Sequence, residues 1–106
     1  ANHFESPALR IRDVGKSTLP DTLFRSRRLR RLLEARKGRL DAETIREALC
    51  DHFSYPDSIC RHPDEACDRM DQWQTLSSIL MDLNELTLRY TEGPACTGPY
   101  RIARVA

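Results

Sequence analysis

The pattern of apolar and polar residues predicts two helices in the first half of the chain. From Ser26 onward, leucines recur at helical spacing with arginines between them, and Gly38 is placed to end this helix. Asp41 suits the N-cap of a second helix, whose apolar positions continue to about His52. Since only a few residues separate the two helices, a helical hairpin is predicted over residues 25–53.

Strands are predicted near the end of the chain. Residues 75–82 and 85–91 alternate between apolar and polar positions, and the two residues between these runs suit a hairpin turn. After two Gly-Pro breaks, residues 100–105 are expected to form a further strand. The region 75–106 is therefore predicted to supply antiparallel strands.

The remaining segments show no sustained periodicity of apolar and polar residues. Residues 1–24 are interpreted as a strand end followed by a loop, because prolines and a glycine interrupt them. Residues 54–74 contain Pro56 and Pro63 and are interpreted as a long loop, which in a compact domain tends to carry function. Helices followed by strands, with no repeat or long linker, predict a single α+β domain over residues 1–106.

Composition and charge narrow the class of protein. The 106 residues are 40% hydrophobic and 31% charged, and 17 basic residues nearly balance 16 acidic ones, for a net charge of +1. These values are ordinary for a globular domain. The sequence has neither a long apolar run nor the pattern of a secretory signal. A membrane-spanning protein is therefore excluded, and a cytoplasmic location is expected.

The first predicted helix is strongly basic. Eight Lys and Arg residues lie within positions 25–39, with Glu34 as the only acid, and clustered basic residues can neutralise nucleic-acid phosphates. However, they surround the helix instead of forming one face, and the second helix carries Asp41, Glu43 and Glu47. A solvated surface helix is favoured, so nucleic acid is not the expected partner. A stand-alone module that binds nucleic acid or protein through this helix is the alternative function.

The cysteines could support metal binding or thiol catalysis. One residue separates Cys60 from His62 and six separate Cys60 from Cys67, with Cys50 and His52 nearby, whereas zinc ligands usually pair at tight spacings on both halves of a site. No metal site is predicted, and reduced, buried cysteines are favoured over disulfides. Cys60 and His62 could touch across one residue, but nothing supplies a glycine-rich turn or an orienting third group for an activated nucleophile.

Two polar positions stand in apolar settings. Asn2 precedes His3 and Phe4, and an Asn side chain is a good hydrogen-bond donor to an oxyanion. Arg61, in the central loop, presents a planar group that suits a carboxylate. On residue chemistry alone, a capped turn or a surface ion pair is the simpler interpretation of each position.

Four segments that include these positions resemble one protein family. They are ANHF at residues 1–4, RSRRLRRLLEARKGRLDAETIREALCDH at 25–52, PDSICRHPDEA at 56–66 and TLSSILMDLNELTLRYTEGPAC at 75–96. Together they are similar to the C-terminal portion of the acyl-coenzyme A:isopenicillin N acyltransferase family, which includes autoproteolytic acyltransferases and amidohydrolases. The resemblance covers nearly the whole chain and is most specific over residues 49–96.

The resemblance implies a C-terminal part of an N-terminal-nucleophile hydrolase with αββα architecture. Members of the family cut themselves before an internal Cys, whose thiol then attacks an amide or thioester with its own α-amino group as base. The acyl group passes to water or to an amine. No cofactor is implied, although acyl-coenzyme A can serve as the acyl donor.

The resemblance assigns Asn2 to the oxyanion hole and Arg61 to binding of the substrate or a carboxylate. The nucleophilic Cys is expected in the N-terminal part of the same enzyme, because Ala1 cannot act as a nucleophile. This chain alone is therefore expected to be inactive, with that N-terminal part as its partner and a small amide or acyl thioester as the substrate. By itself it should self-associate through an unpaired strand edge and an apolar face.

Overall fold

Helices precede strands along the chain, as the sequence pattern predicts. The computed structural model describes residues 3–104, which fold into a small α+β domain. Its elements are the helices α1 (Gly15–Thr18), α2 (Thr22–Glu34) and α3 (Ala42–Leu49), a 3-10 turn at Arg69–Asp71, and the strands β1 (Ile79–Asp82), β2 (Thr87–Tyr90) and β3 (Arg101–Arg104). No helix within this described range is long and apolar enough to cross a bilayer.

The segment before residue 25 differs from the predicted strand end and loop, because it contains helix. Asp13 Oδ1 accepts the backbone N–H of Gly15 at 2.9 Å and so starts α1. α2 begins at Thr22, earlier than predicted, and the carbonyl of Asp21 accepts the N–H of Arg25 at 3.3 Å in its first turn. Because local polar contacts start these helical turns, the sequence shows no helical spacing of apolar residues here, and the helix was not predicted.

The predicted helical hairpin forms, although α2 ends at Glu34, before Gly38, and α3 ends at Leu49, before His52. Asp41 caps α3, since its Oδ1 accepts hydrogen bonds from the backbone N–H of Thr44 at 2.7 Å and from the Thr44 hydroxyl at 2.6 Å. Between the helices, Gly38 has a φ of +83°, a conformation that glycine adopts at little cost. Arg28 of α2 binds both carboxylate oxygens of Asp51, just beyond α3, and this ion pair closes the hairpin.

The strands form one antiparallel sheet in the order β1-β2-β3, and they are shorter than predicted. The turn between β1 and β2 is longer than the two residues expected, and it includes Leu86, whose φ is +50°. Asp82 Oδ1 accepts the backbone N–H groups of Asn84 and Glu85, both at 3.0 Å. This bonding keeps the chain in a turn and delays the start of β2 to Thr87.

One face of the sheet is mostly apolar and largely uncovered. Ile79 lies opposite Tyr90, Met81 lies opposite Leu88, and Leu88 lies opposite Ala103, so these five residues share a face. Arg101, which also lies opposite Tyr90, is a charged member of this face. Ile79 is 51% exposed and Met81 is 67% exposed. The described residues therefore leave this sheet face without a complete hydrophobic layer.

The buried core is small and lies around the central loop rather than under the sheet. Its most deeply buried side chains are small, namely Thr22, Ser58, Cys60 and Thr91. Between the helices and the first strand lies a cavity of about 290 Å³, lined by Leu29, Leu49 and Ile79 among others. The core thus positions the loop, and it leaves the helical layer and the sheet incompletely packed.

Candidate functional site

The central loop is fixed to its neighbours by backbone hydrogen bonds. The N–H of Cys60 donates to the carbonyl of Asp51 at 3.0 Å, which places the loop beside the end of α3. Arg61 and Thr75 are joined twice, because the N–H of Thr75 donates to Arg61 O and the N–H of Arg61 donates to Thr75 Oγ1, both at 3.0 Å. Residues 60–62 therefore have a defined position between α3 and the segment that leads into β1.

Arg61 is held by two carboxylates of the chain itself. Its Nη1 donates to Asp21 Oδ2 at 3.1 Å and its Nη2 donates to Asp57, while Arg25 contacts Asp21 at 3.5 Å. The Arg61 side chain is 13% exposed and that of Asp21 is 7% exposed. A guanidinium carries five N–H donors, and Arg61 lines an open cleft of about 370 Å³ that also contains Trp73. Its predicted role toward a substrate stays a prediction.

His3 contacts the same helix start as Arg61. Nδ1 of His3 lies 2.9 Å from Oγ1 of Thr22, and Thr22 directly follows Asp21, the partner of Arg61. Residues from the ANHF and SICRH segments therefore meet consecutive positions at the start of α2. Asn2, the predicted oxyanion donor, lies outside the described residues, so its role also stays a prediction.

Four histidine and cysteine side chains converge where three segments meet. His52 follows α3, Cys60 and His62 belong to the central loop, and Cys96 lies in the turn after β2. Their potential ligand atoms all lie within 4.8 Å of one another. Nε2 of His62 lies 3.1 Å from His52 Nε2, 3.7 Å from Cys60 Sγ and 3.3 Å from Cys96 Sγ. This cluster, called the Cys/His cluster below, is a candidate metal centre.

The sequence indicated only part of the Cys/His cluster. The contact that the spacing allows between Cys60 and His62 is present. Cys96 was not expected to join them, because it lies 34 positions from His62 and contacts over that distance leave no spacing signal. Cys67, which was considered with Cys60 and His62 and disfavoured by its spacing, is not in the cluster, and its thiol donates to a neighbouring carboxylate. All four cysteines are free, and the expectation that they are buried is right for Cys60 and wrong for Cys67 and Cys96.

The Cys60–His62 pair lacks the properties of an activated nucleophile. Burial raises the pKa of the Cys60 thiol to about 11, so little thiolate is present near neutral pH. Its side chain is also fully inaccessible to solvent. A substrate carbonyl could not reach this sulfur without a rearrangement of the loop.

Arginines of α2 are partly engaged within the chain. Arg28 binds Asp51, and its guanidinium lies 4.2 Å from the centre of the Phe53 ring. Arg36, just beyond the end of α2, pairs with Glu47 of α3 at 3.4 Å. Such contacts are typical of a surface helix that pairs with neighbouring acids.

The comparisons with known proteins leave the family of the chain open. No family model matches the sequence, and no curated protein matches it. The resemblance to the acyltransferase family therefore remains a prediction, and the residue roles that depend on it are proposals.

Proposed function

We propose that this chain is the C-terminal part of an autoproteolytic acyltransferase or amide hydrolase with an N-terminal cysteine nucleophile. The observation that carries the proposal is the meeting of two motif segments at α2, where His3 contacts Thr22 and Arg61 binds Asp21. Asn2 directly precedes His3 in the sequence. An active site built from distant parts of a chain requires its catalytic groups to be held close together. The start of α2 holds both motif segments in this way.

In this proposal the nucleophilic thiol belongs to the N-terminal part of the enzyme. The thiol attacks the carbonyl carbon of an amide or of a thioester such as acyl-coenzyme A, and the leaving amine or thiol takes up a proton as its bond to carbon breaks. The side-chain amide of Asn2 donates a hydrogen bond to the oxyanion, and Arg61 binds a carboxylate of the substrate. Water or an amine then accepts the acyl group. We place the enzyme in the cytoplasm, without a nucleic-acid partner.

The uncovered sheet face supports a role for a second part of the enzyme. Ile79 and Met81 are more than half exposed on this face, and within the described residues the outer edges of β1 and β3 are unpaired. Apolar sheet faces are normally buried against another layer. We propose that the N-terminal part completes this incomplete layer and supplies the second sheet of an αββα sandwich.

The cleft beside Arg61 supports a small-molecule substrate. Its volume is about 370 Å³, which falls within the range of about 300–1,000 Å³ typical of ligand clefts. Trp73 offers an apolar surface in this cleft, and Arg61 offers a charged group. A substrate with an apolar acyl portion fits this cleft, and its anionic group would have to compete with Asp21 and Asp57 for Arg61.

The first experiment is intact mass measurement and N-terminal sequencing of the protein that contains these residues, purified from its natural source. The expected result is that these residues form the tail of a larger chain that begins with Cys, and alkylation of that Cys should abolish amide or thioester cleavage. Asn2→Ala should then lower kcat by about 10²–10³-fold, the usual effect of removing one oxyanion donor. Asn84→Ala, at an exposed turn position, is the matched control and should leave kcat unchanged.

A free chain of about this length, with no companion that begins with Cys, would overturn the proposal. The alternative function, a module that binds through the basic α2, would then be tested by titration with nucleic acid. Binding that weakens steeply as the salt concentration rises would support that alternative, because phosphate contacts release bound counterions.

A further inference from the structure

The Cys/His cluster has the dimensions of a four-ligand metal site. With Zn–S bonds of about 2.3 Å and Zn–N bonds of about 2.0–2.1 Å, a tetrahedron places two nitrogens about 3.3 Å apart and a nitrogen and a sulfur about 3.6 Å apart. The two histidine Nε2 atoms lie 3.1 Å apart, and the Sγ atoms of Cys60 and Cys96 lie 3.7 Å and 3.3 Å from Nε2 of His62. One ion can therefore reach all four side chains after small adjustments.

Hydrogen bonding alone does not account for the contacts around Nε2 of His62. A neutral imidazole nitrogen either carries one proton or offers one lone pair, so it makes one strong in-plane hydrogen bond. Three polar atoms, from His52, Cys60 and Cys96, nevertheless lie within 3.7 Å of it. A shared cation resolves this excess, because each of the four atoms then donates its own lone pair to the ion.

Backbone hydrogen bonds hold the loop ligands in place before any ion binds. The N–H of Cys60 donates to Asp51 O at 3.0 Å and thereby keeps this cysteine beside His52. The N–H of His62 donates to Pro56 O at 3.1 Å and folds the loop back on itself. A site whose ligands are positioned in advance loses little conformational entropy on binding.

Cys96 is positioned by a second set of backbone bonds. The N–H of Thr97 donates to Pro94 O at 3.0 Å, and the N–H of Gly93 donates to Leu76 O at 2.8 Å, so the turn is fixed on both sides of the cysteine. Cys96 and His52 are exposed while Cys60 is fully buried. The cluster therefore has an inner face fixed by the core and an outer face from which an ion can enter.

The donor set selects the kind of metal. Thiolates and imidazoles are soft or borderline ligands that suit Zn²⁺, whereas Mg²⁺ and Ca²⁺ prefer oxygen ligands. Two thiolates also neutralise the charge of a divalent ion. We propose that His52, Cys60, His62 and Cys96 bind one Zn²⁺ in a closed structural site that cross-links the end of α3, the central loop and the turn after β2. This inference does not depend on the acyl-transfer proposal.

The test measures metal binding by the full chain, purified with a non-thiol reductant and without chelator. Mass spectrometric metal analysis should find one zinc per chain. Titration of the metal-free chain with Co²⁺ should give a thiolate-to-metal charge-transfer band and the strong visible bands of tetrahedral cobalt. Because Zn²⁺ binds the folded state, it should also raise the Tm.

Single substitutions identify the ligands. His52→Asn and Cys96→Ser change exposed side chains, so both variants should keep the circular dichroism of the metal-free chain. Each should weaken zinc binding by more than about 100-fold, since loss of even an outer-shell partner costs about 10–100-fold. Cys67→Ser is the matched control, because this exposed cysteine is outside the cluster, and it should bind zinc like the unsubstituted chain.

Three results would overturn the site. One is a Co²⁺ spectrum without the charge-transfer band in a folded, reduced chain. Another is an equal loss of zinc affinity in Cys67→Ser and Cys96→Ser, which would indicate unspecific thiol binding. The third is a Cys60–Cys96 disulfide found by peptide mass spectrometry in protein taken from its source under alkylating conditions.

Discussion

Nη1 of Arg61 lies 3.1 Å from Oδ2 of Asp21, although the two residues are 40 positions apart in the chain. Both side chains are nearly buried. The ion pair therefore joins the central loop to the start of α2. Breaking such a pair by removing one partner leaves the other charge poorly solvated, so the contact is expected to contribute to the stability of the fold as well as to any binding role.

Arg61→Ala should lower the free energy of unfolding by about 1.5–3 kcal/mol, the range for hydrogen bonds to charged groups. The loss arises because Asp21 keeps only the longer contact with Arg25. Urea denaturation followed by circular dichroism measures the change. Arg27→Ala, at an exposed position of α2, is the control and should change stability little. If the two variants proved equally stable, the guanidinium of Arg61 would have no structural role.

Thr91→Val should destabilise the protein by about 1–3 kcal/mol, because it leaves buried backbone groups without a partner. Thr91 is 1% exposed, its Oγ1 accepts the N–H of Ser78 at 2.9 Å, and its hydroxyl donates to Gly93 O at 2.8 Å. Valine has the same shape but neither hydrogen bond. Thr87→Val, a half-buried change in the same sheet, is the control. Equal denaturation midpoints for the two variants would contradict the prediction.

Local chemistry made the α2–α3 hairpin and the Asp41 cap predictable. The Asp41 cap was predicted from the preference of short acidic residues for the N-cap position. The α2–α3 hairpin was predicted from the helical spacing of apolar residues and the glycine break at Gly38. The start of α2 at Thr22 was not predictable in this way. Its first turn rests on backbone bonds and on the contact between Arg61 and Asp21, which joins residues far apart in the sequence.

The Cys/His cluster was also only partly predictable, because it includes a contact between residues far apart in the sequence. Cys60 and His62 are near neighbours in the sequence, and the spacing alone showed that they could touch. Cys96 joins them only because β2 and the turn after it return the chain to the central loop. Spacing rules for zinc ligands describe compact motifs, so a site assembled from three segments escapes them.

The Asp41 cap should make the stability of α3 depend on pH. The side chain and backbone N–H of Thr44 donate to the Asp41 carboxylate and hold its pKa below its usual value. A carboxyl whose pKa is lowered by folding stabilises the folded state above its unfolded pKa, about 3.9. That contribution is lost as the pH falls through the lower, folded-state pKa.

Asp41→Asn isolates this effect, because asparagine also caps helices but does not titrate. Near neutral pH the two proteins should show similar helical circular dichroism. As the pH falls below about 4, the unsubstituted chain should lose more stability than Asp41→Asn. Asp41→Ala, which has no side-chain cap, should be less stable than Asp41→Asn both near neutral pH and below about pH 4. Parallel pH profiles for the unsubstituted chain and Asp41→Asn would show that the cap carboxylate is not coupled to folding.

The uncovered sheet face should make the isolated chain self-associate. Ile79 and Met81 expose apolar surface beside the unpaired edge of β1 in the described part of the sheet, and both features promote association. Analytical ultracentrifugation over a concentration series should therefore show dimers or larger species. Met81→Lys should shift the chain toward the monomer by placing a charge on this face. Leu83→Lys adds the same charge at an 80% exposed turn position and should leave association unchanged. If Leu83→Lys had the same effect as Met81→Lys, net charge rather than the sheet face would control association. If the unsubstituted chain were a monomer at every concentration, this face would not drive self-association.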